Sequence, residues 1–389
     1  MNVAFVVQRY GPDITGGSET LARAVAERLA AQMRITVLTT CARDYVTWRN
    51  ELPAGPSQLN GVEVVRFPVE EERDLEAFNR LSEPLYARPH SEADELVWLR
   101  RQGPYAPRLV EAVEKGKREW DAVVFFTYLY HPTYFGMRAA PERSVLVPTA
   151  HDEPPLRFGI YDTLFASARA FGFCSVPEME LVKARFGLGD RPAAVTGIGV
   201  EMADPGDIEG FRIRHDIRGP YVLYAGRIDA GKGCEEMVDF YDRYRRDHAG
   251  AAELVLIGRL AMDEPRVPGV RYLGFLSEDE KRAALAGARA VVCPSPFESL
   301  SIVLLEGMAH GTPALASARS PVLKDHCVRS QGGLYYSCAA EFSEALDLLV
   351  REPVLRQALG DNGRRYVRES YRWDAVLARY RGLIEAVAG

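Results

Sequence analysis

Two carboxylates eight positions apart, Glu298 and Glu306, bracket the start of a short apolar segment in PSPFESLSIVLLEGMAHGTP, residues 294–313. A helix start offers unsatisfied backbone N–H groups and the positive end of the helix dipole to an anion. A carboxylate accepts hydrogen bonds from hydroxyls. Main-chain donors at Ser299, Leu300 and Ser301 would therefore hold a phosphate, with Glu298 just before the pocket and Glu306 placed to accept from neighbouring hydroxyls such as those of a ribose. The pattern suits a phosphorylated, hydroxyl-rich ligand. It fits equally a strand-turn-helix with one capping and one surface glutamate.

A second group of candidate residues lies upstream in YVLYAGRIDAGKG, residues 221–233. Tyr221 to Ala225 reads as a strand, and the glycine-rich loop after it carries Arg227 and Lys232, two cations suited to a diphosphate. Residues 226–232 also satisfy the first part of the P-loop pattern G-x-x-x-x-G-K, which raises a phosphotransferase. Gly233 argues against that reading, because a P-loop needs a Ser or Thr hydroxyl there for magnesium.

The elements that would position these residues are legible on either side of them. Ala290 to Cys293 reads as a buried strand that Pro294 and Pro296 stop from continuing. The apolar run Ile302 to Met308 predicts a buried helix starting near Leu300 and ending at Gly311-Thr312-Pro313. Val3 to Val7 reads as a first strand, and Gly16 and Gly17 precede a helix with apolar Leu21, Val25 and Leu29, so their backbone could approach a second face of a diphosphate. Val145 to Val147 is another strand. His151 and Asp152 lie past its C-terminal end, where α/β sheets bind ligands.

A chain of 389 residues exceeds the usual size of one core. Short apolar strands alternating with helices indicate an α/β fold of parallel units, with the break near ADPGDIEG, residues 203–210. The formal net charge of −6 offers no global attraction to nucleic acid. Six scattered cysteines without a C-x-x-C pair, together with the lack of a secretory signal, suggest reduced thiols and a cytoplasmic setting. No apolar run is long enough to span a bilayer, about twenty residues. Arg100-Arg101 and Lys115 to Arg118 are compatible with peripheral contact at the inner membrane face. The charged segment 70–102 predicts two helices separated by a stretch from Pro84 to Pro89, covering one domain.

Gly226-Arg227 with Lys232-Gly233, then Glu298, Glu306 and Gly311-Thr312-Pro313, resemble the donor site of family 4 of the retaining glycosyltransferases. Gly16-Gly17-Ser18-Glu19, His151-Asp152 and Tyr371-Arg372-Trp373-Asp374 extend the resemblance over nearly the whole chain. It implies the GT-B architecture, two Rossmann-like doubly wound domains facing a cleft with the C-terminal helix crossing back to the first. The expected division is 1–203 plus 373–389 for the acceptor domain and 204–372 for the donor domain.

The resemblance further implies transfer of a sugar from a nucleoside-diphosphate sugar to a hydroxyl of a sugar, glycolipid or other acceptor, with retention. Arg227, Lys232 and the N–H groups at 299–301 would stabilise charge on the leaving phosphate. Glu298 would orient the sugar, Glu306 the ribose, Phe275 the base, and His151 would contact the transferred sugar. The second domain would bind the donor through these residues, joined by Gly16 and Gly17. No D-x-D triplet occurs, so no metal or further cofactor is expected to be essential. The segment 70–102 and the aromatics Tyr128, Tyr130, Tyr134 and Phe135 are expected to shape the acceptor side. Two departures stand out: Ser301 where the family usually has glycine, and Ile198 to Glu201 where an Asn commonly precedes the glycine. A sugar-nucleotide epimerase and a non-catalytic sugar-nucleotide binder share much of this pattern and remain alternatives.

Overall fold

The short apolar runs become strands of two separate sheets in a computed structural model that describes residues 1–14, 16–248 and 250–388. The chain divides into two units, one comprising Met1–Ile198 with Val376–Gly389 and the other Gly199–Ala375.

In the first unit the strands are β1 (Asn2–Val6), β2 (Arg34–Thr40), β3 (Gly55–Leu59), β4 (Val62–Phe67), β5 (Ala122–Phe126), β6 (Ser144–Val147), β7 (Ala170–Phe173) and β8 (Ala193–Val195). They lie in the order β3-β4-β2-β1-β5-β6-β7-β8, parallel except for the edge hairpin β3–β4. Central strands of such a sheet are covered on both faces and must be apolar throughout. Val3 to Val6 and Ala122 to Phe126 are accordingly fully buried.

The charged segment forms the helices Leu75–Ala87 and Glu92–Gln102. Pro84 does not separate them as the sequence suggested; it lies inside the first helix, one turn from its end. Trp98 joins the unit's core, donating its indole N–H to Ser82 Oγ at 2.8 Å and meeting Phe158 edge-on at 5.1 Å.

The second unit contains β9 (Tyr221–Ala225), β10 (Glu253–Ile257), β11 (Val270–Tyr272), β12 (Val291–Cys293), β13 (Ala314–Ser317) and β14 (Gly333–Tyr336). Their order is β11-β10-β9-β12-β13-β14, all parallel. Counted within the unit this is 3-2-1-4-5-6, the doubly wound order whose ligand crevice opens between the first and fourth strands, beyond their carboxyl ends. Here those strands are β9 and β12. The segment 203–210 lies within this unit, where Asp207 caps the helix Ile208–Arg214. Among the described residues no helix is long and apolar enough to cross a membrane.

Candidate functional site

The loops that leave β9 and β12 are the two segments singled out by their residues, and the sheet order brings them side by side. After β9, Asp229 caps a single helical turn, Ala230–Lys232, by accepting from the Lys232 N–H at 2.8 Å. The same carboxylate pairs with Arg227. Gly233 follows with φ +74°, and a Cβ there would stand 2.6 Å from the Pro294 carbonyl oxygen. The close approach of the two loops therefore requires glycine. It also brings Lys232 Nζ to 2.6 Å from Glu298 Oε1. An ammonium carries three donors, so Lys232 can hold Glu298 and still present N–H groups to a second oxygen.

The helix after β12 spans Ile302–Ala309, two residues later than the sequence suggested. The delay has a backbone cause. Ser301 adopts φ +69°, a left-handed conformation that a residue with a Cβ holds only under constraint. Its side chain makes no cap for the helix. The helix start is thus left with main-chain donors.

Glu306 sits on this helix and pairs with Lys281, Nζ to Oε1 at 3.0 Å, while Lys281 also meets Glu278 at 3.0 Å. The second oxygen of Glu306 is buried and makes no hydrogen bond among the described residues. Burial raises the Glu306 carboxyl above the ordinary range, with Lys281 opposing. For Lys281 burial pulls the other way but is outweighed by Glu306 and Glu278, which raise it. Phe275, after β11, exposes 69% of its surface. Its ring face is open to a flat partner such as a base.

Gly16, Gly17 and His151 belong to the first unit. Gly16 has φ +159°, and a Cβ there would lie 2.3 Å from Glu19 Oε2. Glu19 is buried against Arg9, Nη2 to Oε1 at 2.5 Å, fixing the loop between β1 and the helix Gly17–Leu29. His151 follows β6 and lies 3.4 Å from Glu153, whose other oxygen accepts from the Tyr128 hydroxyl at 2.8 Å. Burial raises the Glu153 carboxyl, opposed by His151 and Tyr128. Beneath this loop Glu178 accepts the Ala150 and Cys174 N–H groups at 2.6 and 2.5 Å, and burial pushes its carboxyl up to about 8.

The aromatic run is corrected in part. Tyr128, in the turn after β5, and Tyr134, on the helix His131–Ala139, are fully buried members of the unit's core.

The fold gathers Arg227, Lys232, Glu298, Ser299, Leu300 and Ser301 on the two loops at one crevice. Three further residues were not singled out from sequence. Asp229 carries a local signal, since an Asp three residues before Lys232 has the spacing of a capping residue. Glu153 stands two residues past His151 and could have been marked for that reason. Lys281 has no such signal, being twenty-five positions from Glu306.

A six-stranded 3-2-1-4-5-6 sheet with a cationic loop and a glutamate turn at its crevice, joined to a second parallel-sheet unit, is the GT-B fold. Residues 208–366 match the model of the family described as Glycosyl transferases group 1.

Two curated relatives are glycogen synthases. That of Thermus thermophilus is 28% identical over 187 residues, 46% of this chain and 42% of that protein. That of Mycobacterium tuberculosis is 28% identical over 217 residues, 52% of this chain and 50% of that one. The matches span half or less of these relatives' length. Among solved structures, the sucrose-phosphate synthase of Thermosynechococcus elongatus has the same fold, with a TM-score of 0.72, 18% identity and 99% of each chain covered. Anabaena HepE in complex with UDP and glucose gives a TM-score of 0.71 at 15% identity, covering 99% of this chain and all of that one.

Proposed function

We propose that this chain is a retaining glycosyltransferase that moves a sugar from a nucleoside-diphosphate sugar to an acceptor hydroxyl in polysaccharide, glycolipid or other glycoconjugate assembly. The observation that carries the reading is the Lys232–Glu298 contact at the crevice of the second sheet, with helix-start N–H groups alongside. Cleaving the sugar–diphosphate bond builds negative charge on the leaving oxygen. Lys232, Arg227 and the 299–301 main chain are donors suited to stabilise that charge as it forms. Glu298, held by Lys232, faces the sugar hydroxyls; Glu306 accepts from the ribose, Phe275 stacks on the base, and Gly16 and Gly17 approach the diphosphate. His151 meets the transferred sugar. The acceptor hydroxyl enters on the face the leaving group vacates and gives its proton to the departing phosphate. No protein carboxylate has to act as nucleophile, and the protein needs no metal or other cofactor.

UDP and glucose in the similar Anabaena structure, and glycogen synthases among the relatives, support a nucleoside-diphosphate hexose as donor class. The test is a thermal-shift screen of the full chain against UDP, GDP, ADP, dTDP and their sugar conjugates, followed by product analysis with the best conjugate. A bound diphosphate raises apparent stability by mass action. Stabilisation by one diphosphate and transfer with retained anomeric configuration is expected. A chain stabilised by none of them refutes the reading, and a conjugate converted without any acceptor would indicate an epimerase.

Glu306→Ala is expected to weaken binding of the preferred diphosphate by about tenfold, about 1.4 kcal/mol. The ratio of kcat/KM values for two donor sugars should change far less. Because burial raises the Glu306 carboxyl, it takes up its proton at a higher pH than an ordinary glutamate. Affinity in calorimetric titrations should therefore fall as the pH is lowered through that raised range, and Glu306→Gln should flatten this limb. A changed sugar preference with unchanged diphosphate affinity would reverse the roles of Glu298 and Glu306.

A further inference from the structure

His326 takes no part in the donor chemistry described above, yet it is bonded directly to the turn that carries it. It lies on the helix Pro321–Ser330 and is 1% exposed. Its Nε2 is 2.9 Å from the Leu300 carbonyl oxygen and its Nδ1 is 3.1 Å from the Tyr366 hydroxyl. The Tyr366 and Tyr371 hydroxyls are 3.2 Å apart. A carbonyl only accepts, so the network assigns the proton to Nε2, leaving Nδ1 of the neutral ring to accept from Tyr366. Tyr371 then donates to Tyr366. Burial pushes the imidazole down to about 4, which keeps it neutral near pH 7. The far end is anchored as well, because the Tyr371 carbonyl accepts the Val200 N–H at 2.7 Å.

The Leu300–Ser301 peptide is trans, so its carbonyl and its N–H point in opposite directions. Tying the Leu300 oxygen to a buried ring aims the Ser301 N–H away from that ring. Among the described residues this N–H makes no hydrogen bond. Ser301 also sits in the left-handed region, a conformation that persists where the surroundings over-determine it. The His326 bond, one residue earlier, is such a constraint.

We propose that His326 is a positioning residue, the end of a Tyr371–Tyr366–His326 relay that fixes the Leu300–Ser301 peptide plane and presents the Ser301 N–H to the donor's diphosphate. The inference rests on the nucleoside-diphosphate reading of this site. It assigns a function to a buried histidine that lies outside the ligand's reach. It also explains how a serine can occupy a turn whose backbone favours glycine.

The experiment is calorimetric titration of the full chain with UDP, GDP, ADP and dTDP and with the matching monophosphates, giving the diphosphate-over-monophosphate preference. His326→Leu is expected to lower that preference about tenfold. His326→Gln, whose amide nitrogen reaches the Nε2 position, should restore most of it. Tyr366→Phe keeps the bond to Leu300 but removes the donor to Nδ1, and should lower the preference about threefold. A merely structural histidine would lower the melting temperature and leave the preference unchanged, and a folded His326→Leu with that behaviour overturns the proposal. If His326→Leu does not fold, an unchanged preference in Tyr366→Phe together with a ring protonated at Nδ1 in ¹⁵N-histidine spectra overturns it instead. Wild-type protein that binds none of the four diphosphates overturns the site reading itself, a distinct result.

Discussion

Lys232→Ala is expected to lower kcat/KM for the donor by roughly 10²–10³-fold, the usual effect of removing one preorganised donor from a developing negative charge. Two effects add. The leaving phosphate loses a fixed cation, and Glu298, 2.6 Å from that cation in the wild type, is left as an uncompensated carboxylate facing an anionic ligand. The second effect can be measured separately. Adding Glu298→Gln to Lys232→Ala removes the repulsion, so diphosphate affinity should partly recover while turnover does not. Steady-state kinetics and titration of the two single variants and the double variant give the coupling directly. Turnover by Lys232→Ala within threefold of wild type would sink the donor-site assignment.

The second large effect is expected at a residue with no side chain. Gly233→Ala places a methyl 2.6 Å from the Pro294 carbonyl oxygen at a backbone φ of +74°. Left-handed strain and a clash against main chain each cost about 1–3 kcal/mol. The two loops must separate to relieve it, which carries Lys232 away from Glu298. Lower melting temperature together with loss of most diphosphate affinity is therefore predicted. Gly231→Ala, two positions away, is the control. Its Cβ would meet only Asp229 Oδ1 at 3.2 Å, and it should bind the diphosphate nearly as wild type does. Equal behaviour of the two variants would mean that the loop contact at Pro294 does not position the site. The same geometry bears on the P-loop pattern in residues 226–232. Gly233 is packed against Pro294, so even a serine there would meet main chain instead of a magnesium ion.

Much of the fold was legible because its signals are local. Buried parallel strands must be apolar, so Tyr221–Ala225 and Val291–Cys293 stand out between polar loops. Gly311-Thr312-Pro313 stops a helix wherever that helix packs. Three local readings were overruled by their surroundings. Pro84 stays inside a helix although it leaves the Arg80 carbonyl without its N–H; its own carbonyl still accepts the Arg88 N–H at 3.0 Å. Tyr128 and Tyr134 are core because the turn after β5 and the helix at 131–139 set both against Tyr161. The helix at 302 starts late because Ser301 is held in a left-handed turn.

For the candidate site, the sequence by itself determined which residue types stand at the ends of β9 and β12, since strand, glycine loop and helix stop are properties of neighbouring residues. Only the tertiary structure decided how they pair. Lys232 and Glu298 are separated by 66 positions, Lys281 and Glu306 by 25, and His326 and Leu300 by 26. The 3-2-1-4-5-6 order sets β12 beside β9 although β10 and β11 intervene in the chain. Hydrogen-bonded register between distant strands, and close contact of main chain at Gly233 and Pro294, fix those distances; no spacing along the sequence encodes them.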